Sequence, residues 1–189
     1  MGSEGPLRLF VGVELPVAAA GAVQAVADAC RGRLPPLRWS RPEDRHVTLE
    51  FLGDVASTAV PGLTDRLDRV ARTRSGFNTS LGGVGGFPNA AGARVVWVGL
   101  DDPEGGWSGL ASAVREAFPG PVTAGPEPFV PHITLARSPR PVELPRRLLE
   151  RPGSSADWLV DTFALFRSKA DVGGPRYERL ELFALGSPS

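Results

Sequence analysis

Both histidines of the chain stand in the same tetrapeptide context, His46-Val47-Thr48-Leu49 and His132-Ile133-Thr134-Leu135. Each copy alternates residue by residue, which is the period of an extended strand and not of a helix. Successive strand side chains point to opposite faces, so histidine and threonine share one face while Val47 and Leu49, or Ile133 and Leu135, share the other. The apolar face needs a core to pack on, and the other presents an imidazole beside a hydroxyl. Any fold of this chain has to bury one side of two such strands and leave the other accessible. The repetition reads as one site made from two halves.

At 189 residues and 20.0 kDa the chain is long enough for a real core and fits a single domain over 1–189. Its 42% hydrophobic and 22% charged content is that of an ordinary globular protein. The single cysteine, Cys30, excludes an intramolecular disulfide and points to a reducing compartment. No apolar run is long enough to cross a bilayer, and the start has no signal-peptide pattern, so a cytoplasmic location and no membrane partner are expected. Zero formal charge argues against coating long nucleic acid through a broad basic face. Gripping one phosphate needs only local charge: Arg38, Arg41 and Arg45 precede the first motif, and Arg137 and Arg140 follow the second. Lys169 is the only lysine, so arginines are abundant enough for part of this clustering to arise by chance.

Leu7 to Leu15 reads as a buried strand, followed by a helix from Pro16 to about Arg31 with Val23, Val26 and Cys30 at helical spacing. A short strand at Leu37-Arg38-Trp39 and a turn at 41–44 deliver the chain into the first motif strand, His46 to Leu52. A helix near Ser57 carries Val60, Leu63, Leu67 and Val70 on one face. Strands are expected at Phe77 to Leu81 and Arg94 to Leu100, with the glycine-rich stretch 82–89 as the loop between them. A helix from about Ser108 to Ala117 and a Pro/Gly-rich loop at 119–128 lead to the second motif strand, Val130 to Ala136. A short helix around 145–150 and strands at Asp157 to Ser168 and Arg176 to Ala184 complete the chain. Strands outnumber helices without strict alternation, which predicts an α+β architecture.

A matched pair of imidazoles suits displacement at a phosphodiester. One side chain takes the proton of the nucleophile, the other protonates the departing oxygen, and hydroxyl donors such as Thr48 and Thr134 hold the non-bridging oxygens. One histidine on a half-buried strand is more often a structural residue than a catalyst; two identical copies holding every histidine are hard to explain that way. Zinc needs three or four ligands at characteristic spacings, and neither paired cysteines nor helically spaced histidines are present. Asp54, Asp101 and Asp102 could be recruited, but their spacing does not require it. No Gly-x-Ser-x-Gly elbow and no P-loop ending are found.

The sequence resembles the two-histidine phosphoesterases, in the branch of RNA 2′,3′-cyclic phosphodiesterases also called 2′-5′ RNA ligases. The motifs His46-Val47-Thr48 and His132-Ile133-Thr134 carry the superfamily likeness. The blocks from Leu7 to Val13, Arg45 to Asp54, Phe87 to Asn89, Pro131 to Arg137 and Phe163 to Ser168 carry that of the branch. The resemblance implies a bilobal α+β fold with pseudo-two-fold symmetry, mainly antiparallel sheets lining a central cleft, and helices outside.

It also implies hydrolysis of RNA 2′,3′-cyclic phosphate termini to 2′-phosphomonoesters with no metal and no cofactor, and 2′-5′ ligation as the same displacement by a ribose hydroxyl. His46 would then protonate the departing 3′ oxygen, His132 would activate water, and Arg137 would grip a phosphate. The chain is expected to act as a monomer. Small cyclic nucleotides, 2′-5′ oligoadenylates or ADP-ribose cyclic phosphate are alternative substrates, and a non-catalytic module binding RNA ends or nucleotides is the alternative from another class. Trp39, Phe51, Phe129 and Tyr177 are candidates both for stacking on a base and for the core.

Overall fold

A computed structural model describes residues 5–118, 129–149, 156–171 and 175–187. The first motif unit is β1 (Leu7–Glu14), α1 (Val17–Arg31), the two-residue β2 (Arg38–Trp39) and β3 (His46–Val55). After it come α2 (Val60–Thr73), β4 (Phe77–Thr79) and β5 (Leu81–Phe87). The second motif unit is β6 (Ala93–Leu100), α3 (Gly106–Ala117) and β7 (His132–Val142). The chain closes with α4 (Arg146–Leu149), β8 (Trp158–Val160), β9 (Thr162–Lys169) and β10 (Arg176–Ala184).

The helices follow from their apolar spacing. In α1, Ala19, Val23, Val26, Ala27 and Cys30 are buried on one stripe, and Pro16 stands where a missing N–H costs nothing. In α2 the buried stripe is Leu63, Leu67, Val70 and Ala71. At the start of α3 the Asp102 carboxylate accepts the backbone N–H groups of Trp107 at 2.8 Å and Ser108 at 3.0 Å, which satisfies two orphan donors of the first turn. Trp107 is fully buried and its indole N–H donates to Thr79 Oγ1 at 2.9 Å, so this indole leaves no polar group unpaired.

The main sheet runs β10-β9-β1-β3-β7-β6-β5, with β2 also on β7, and its strands pair antiparallel. It is one sheet whose halves share few pairings at the centre, where β2 of the first unit also joins β7 at Arg38–Arg137 and Trp39–Ala136. Within the halves, β1 pairs with β3 along its length and β6 with β7, but β3 meets β7 through the single pair Val47 and Ile133. An antiparallel pair has a local two-fold axis, and this one relates β1-α1-β3 to β6-α3-β7. Val47, Leu49, Ile133 and Leu135 lie in one core cluster with residues of α1 and α3.

The motif strands are hydrogen-bonded neighbours whose apolar faces share one core. Two sequence expectations change. Residues 82–87 are not loop but lie within β5, packed flat on β6: a Cβ at Gly85 would run into the Trp97 indole and one at Gly86 into the Ala93 side chain, so these glycines serve close approach. The expected strand 157–168 breaks at Asp161 into β8, which pairs with β4 in a small second sheet, and β9 in the main one. The expected loop at 119–128 lies outside the described residues.

Candidate active site

His46 and His132 open their strands and are held in the same way. The Nδ1–H of His46 donates to the carbonyl oxygen of Asp44 at 2.8 Å, and that of His132 to Val130 at 2.7 Å, in both cases the residue two positions earlier. These bonds place the proton of each neutral ring on Nδ1 and leave Nε2 as the reactive nitrogen. Thr48 Oγ1 lies 3.1 Å from His46 Nε2 and donates to it while the ring is neutral.

Aromatic rings surround both imidazoles, but unequally. His46 has Phe10 at 4.8 Å, Tyr177 edge-on at 4.8 Å and Phe166 at 6.2 Å. His132 has Phe87 edge-on at 4.9 Å and Trp97 at 5.9 Å. Burial pushes His46 from 6.5 down to about 4; the bond to Asp44 opposes this, while His132 and Arg137 add to it. Burial also lowers His132, again with Arg137 acting in the same direction and the Val130 carbonyl against it. Both rings are therefore neutral near pH 7 in the free protein, and an anion between them would draw protons onto them.

A second device shapes the face around the histidines. On β1, the consecutive residues Val11 and Gly12 pair with Glu50 and Thr48, so Leu49 is an extra residue in β3. On β6, Val96 and Trp97 pair with Ala136 and Thr134, so Leu135 is the extra residue in β7. Each bulge reverses the alternation behind it. Phe51 and Arg137, each five positions after its histidine, turn onto the imidazole face, and Glu50 and Ala136 turn into the interior. Buried Glu50 accepts Arg115 of α3 at 2.7 Å.

The face consequently has unlike ends. Beyond Thr48, the half-exposed Phe51 ring adjoins a small cavity of about 50 Å³ lined also by Phe129, Val130 and His132. Beyond Thr134 lie Arg137 and, directly across from it on β2, Arg38. Gly12 stands beside Thr48 where Trp97 stands beside Thr134, so the floor is open in one half and filled by an indole in the other.

The sequence candidates His46, Thr48, His132, Thr134 and Arg137 thus share one face. Strict alternation would have put Arg137 behind it. Of the aromatic candidates, Phe51 and Phe129 border the cavity and Tyr177 leans on His46, whereas the Trp39 ring lies under the Arg31 guanidinium at 4.9 Å. Phe10, Phe87, Trp97 and Phe166 were not site candidates; Phe10, Phe87 and Phe166 lie in the blocks that carry the resemblance, and Trp97 carries no signal beyond ordinary strand hydrophobicity. Asp102 is occupied as a helix cap and Asp101 accepts the Ser80 hydroxyl at 2.7 Å. Among the described residues no group of three His, Cys, Asp or Glu is placed to hold a metal. A larger depression of about 370 Å³ between α2 and α3 contains neither motif, so chemistry and not volume locates the site.

The model of the 2′-5′ RNA ligase superfamily matches residues 15–172. The chain belongs to that superfamily. A superfamily relative from Thermus thermophilus, an RNA 2′,3′-cyclic phosphodiesterase, is 34% identical over 95% of this chain and 90% of its own length. A relative of the same description from Geobacillus stearothermophilus is 29% identical over 95% of this chain, which spans only 58% of it. Among solved superfamily folds, a crystal structure of a Thermus thermophilus protein superposes with TM-score 0.82 at 32% identity, covering 97% of this chain and 100% of that one. Apo LigT of Escherichia coli gives 0.77 at 29%, with the same coverage.

Proposed function

We propose that the protein hydrolyses RNA 2′,3′-cyclic phosphate ends to 2′-phosphomonoesters by acid and base catalysis between His46 and His132. The observation that carries this reading is the pair of imidazoles, each tied at Nδ1 to the carbonyl two residues before it and related by the two-fold at Val47 and Ile133. Such a pair brackets a phosphorus atom from two sides, as an in-line displacement requires. His132 takes the proton of the attacking water and His46 gives one to the departing 3′ oxygen, while Thr48, Thr134 and Arg137 hold the phosphate oxygens. The strain of the five-membered ring and the tethered leaving group let this chemistry run without a metal.

The relatives named RNA 2′,3′-cyclic phosphodiesterase support this substrate class, and LigT of E. coli has been solved with 3′-AMP. Replacing water by a ribose 5′-hydroxyl would give 2′-5′ ligation on the same residues. The neutral, buried Cys30 thiol, pushed up to about 11 by burial, supports a structural role and suits a reducing cytoplasm.

The test is incubation with a short RNA ending in a 2′,3′-cyclic phosphate in the presence of EDTA, followed by phosphorus NMR. We expect a 2′-phosphomonoester from the wild type and a loss on the order of a hundredfold or more in His46→Gln and His132→Gln. Near-normal turnover in both variants would sink the reading, and a 3′-phosphate product would reverse the leaving oxygen.

A further inference from the structure

Two of the arginines flanking the motifs have structural work. Arg45 is buried and donates to Gln24 at 2.9 Å and to the Ser40 carbonyl at 3.4 Å. Arg41 pairs with Asp44 at 3.8 Å. Arg38 and Arg137 are different. They are direct cross-strand neighbours on β2 and β7, and among the described residues neither has a carboxylate or a hydrogen-bond partner. Like charges placed opposite one another destabilise a sheet, so the pair counts against folding unless an anion joins it.

The local structure holds this pair in place. β2 is only two residues long, and its pairing sets Arg38 against Arg137 and Trp39 against Ala136. The Ser40 N–H donates to the Leu135 carbonyl at 2.8 Å, Trp39 packs on the core, and the Arg31 guanidinium covers its ring. The Leu135 bulge turns Arg137, and with it Arg38, to the face of His132 and Thr134. The Arg137 charge weighs on both imidazoles, and Arg137 and Arg38 both weigh on the phenol of Tyr177, whose ring stands edge-on to His46.

We propose that Arg38 and Arg137 form a second anion subsite, in which Arg38 holds the phosphodiester preceding the cyclic end while Arg137 reaches the reacting phosphate, so that the protein selects a ribonucleotide chain over a single nucleoside cyclic phosphate. The inference rests on the phosphodiesterase reading and names its substrate class. Two arginines rooted one strand spacing apart, each carrying a planar fork of donors on a long side chain, can reach two successive phosphates. A nucleoside cyclic phosphate offers only one anion and leaves Arg38 unpaired.

The experiment measures binding of 2′-AMP and of a diadenylate ending in a 2′-phosphate to the full chain. The proteins are the wild type, Arg38→Ala, Arg38→Lys and, as an equal-charge control on α2, Arg72→Ala. We expect the wild type to bind the dinucleotide about tenfold or more tightly than the mononucleotide. Arg38→Ala should bring the two within about threefold and lower the salt slope for the dinucleotide by about one, Arg38→Lys should keep part of the preference, and Arg72→Ala all of it. The KM for a cyclic dinucleotide should rise in Arg38→Ala with little change in kcat. No length preference in the wild type, an undiminished preference in Arg38→Ala, or equal weakening of both ligands would overturn the subsite. Hydrolysis without length preference overturns the subsite and keeps the phosphodiesterase reading; length-selective binding without hydrolysis does the reverse.

Discussion

Phe51 and Arg137 occupy equivalent places in the two halves of the sheet, each turned onto the imidazole face by an extra leucine in its strand, yet one is a hydrocarbon ring and the other a cation. The two-fold that relates the histidines therefore does not relate their surroundings. Three aromatic rings crowd His46 and two flank His132.

Thr48→Val keeps the shape of the side chain and removes the hydroxyl that lies 3.1 Å from His46 Nε2. Loss of one hydrogen bond to a partly buried ring should cost about 1 kcal/mol of stability, while on the proposed role of Thr48 as a phosphate donor turnover should fall by about tenfold or more. Chemical denaturation and a cyclic phosphate assay on the same variant separate the two effects.

Both imidazoles lie below their usual value, His46 at about 4. The proposed catalysis needs one ring protonated and one neutral, so kcat/KM, which reports the free protein, should peak below pH 6.5. The kcat profile should sit at higher pH, because a bound phosphate anion stabilises imidazolium. Equal optima for the two parameters, or a flat profile from about pH 4 to 8, would contradict this.

The same shift bears on stability. Between pH 6.5 and 4 the unfolded chain binds a proton at position 46 that the folded chain does not, so the stabilisation present above 6.5 drains away as the pH falls toward 4. Urea unfolding should therefore show a loss between about pH 7 and pH 4.5 on the order of 1–2 kcal/mol attributable to this ring, and His46→Gln should show a smaller one.

Phe51 is 49% exposed, far above what a core phenylalanine needs. Phe51→Ala should leave the melting temperature almost unchanged. If the ring stacks on the terminal base, KM should rise several-fold or more, in line with roughly 1–3 kcal/mol per stacked base. An unchanged KM would remove Phe51 from the binding surface.

Gly85→Ala should destabilise by about 1–3 kcal/mol, because its Cβ needs space now filled by the Trp97 indole. The displaced ring also abuts His132, so activity should fall in the folded variant at low temperature. A variant as stable as the wild type would show that the sheet relaxes more easily than its close packing suggests.

What the sequence revealed was local, and what it concealed was pairing. The motif strands and the stripes of α1, α2 and α3 are periodic within windows of a few residues, and periodicity survives in a single sequence. The bulges at Leu49 and Leu135 do not, since an extra residue exists only relative to the strand beside it. Without them Phe51 and Arg137 read as facing away from the histidines. The glycines of β5 look like a turn until Trp97 is seen to need their missing side chains. Likewise, nothing near Asp161 signals that a continuous strand pattern will divide between two sheets.

On the proposed chemistry, the joint at Val47 and Ile133 would let acid and base trade places without changing the chemistry between them, as in a socket whose two contacts are interchangeable. Such a socket needs a key to admit its plug in one orientation. On the proposed function, the apolar rim at one end and the cationic rim at the other would provide that key, so substitutions at the rims would alter which way a strand threads, and substitutions at the centre whether anything happens once it has.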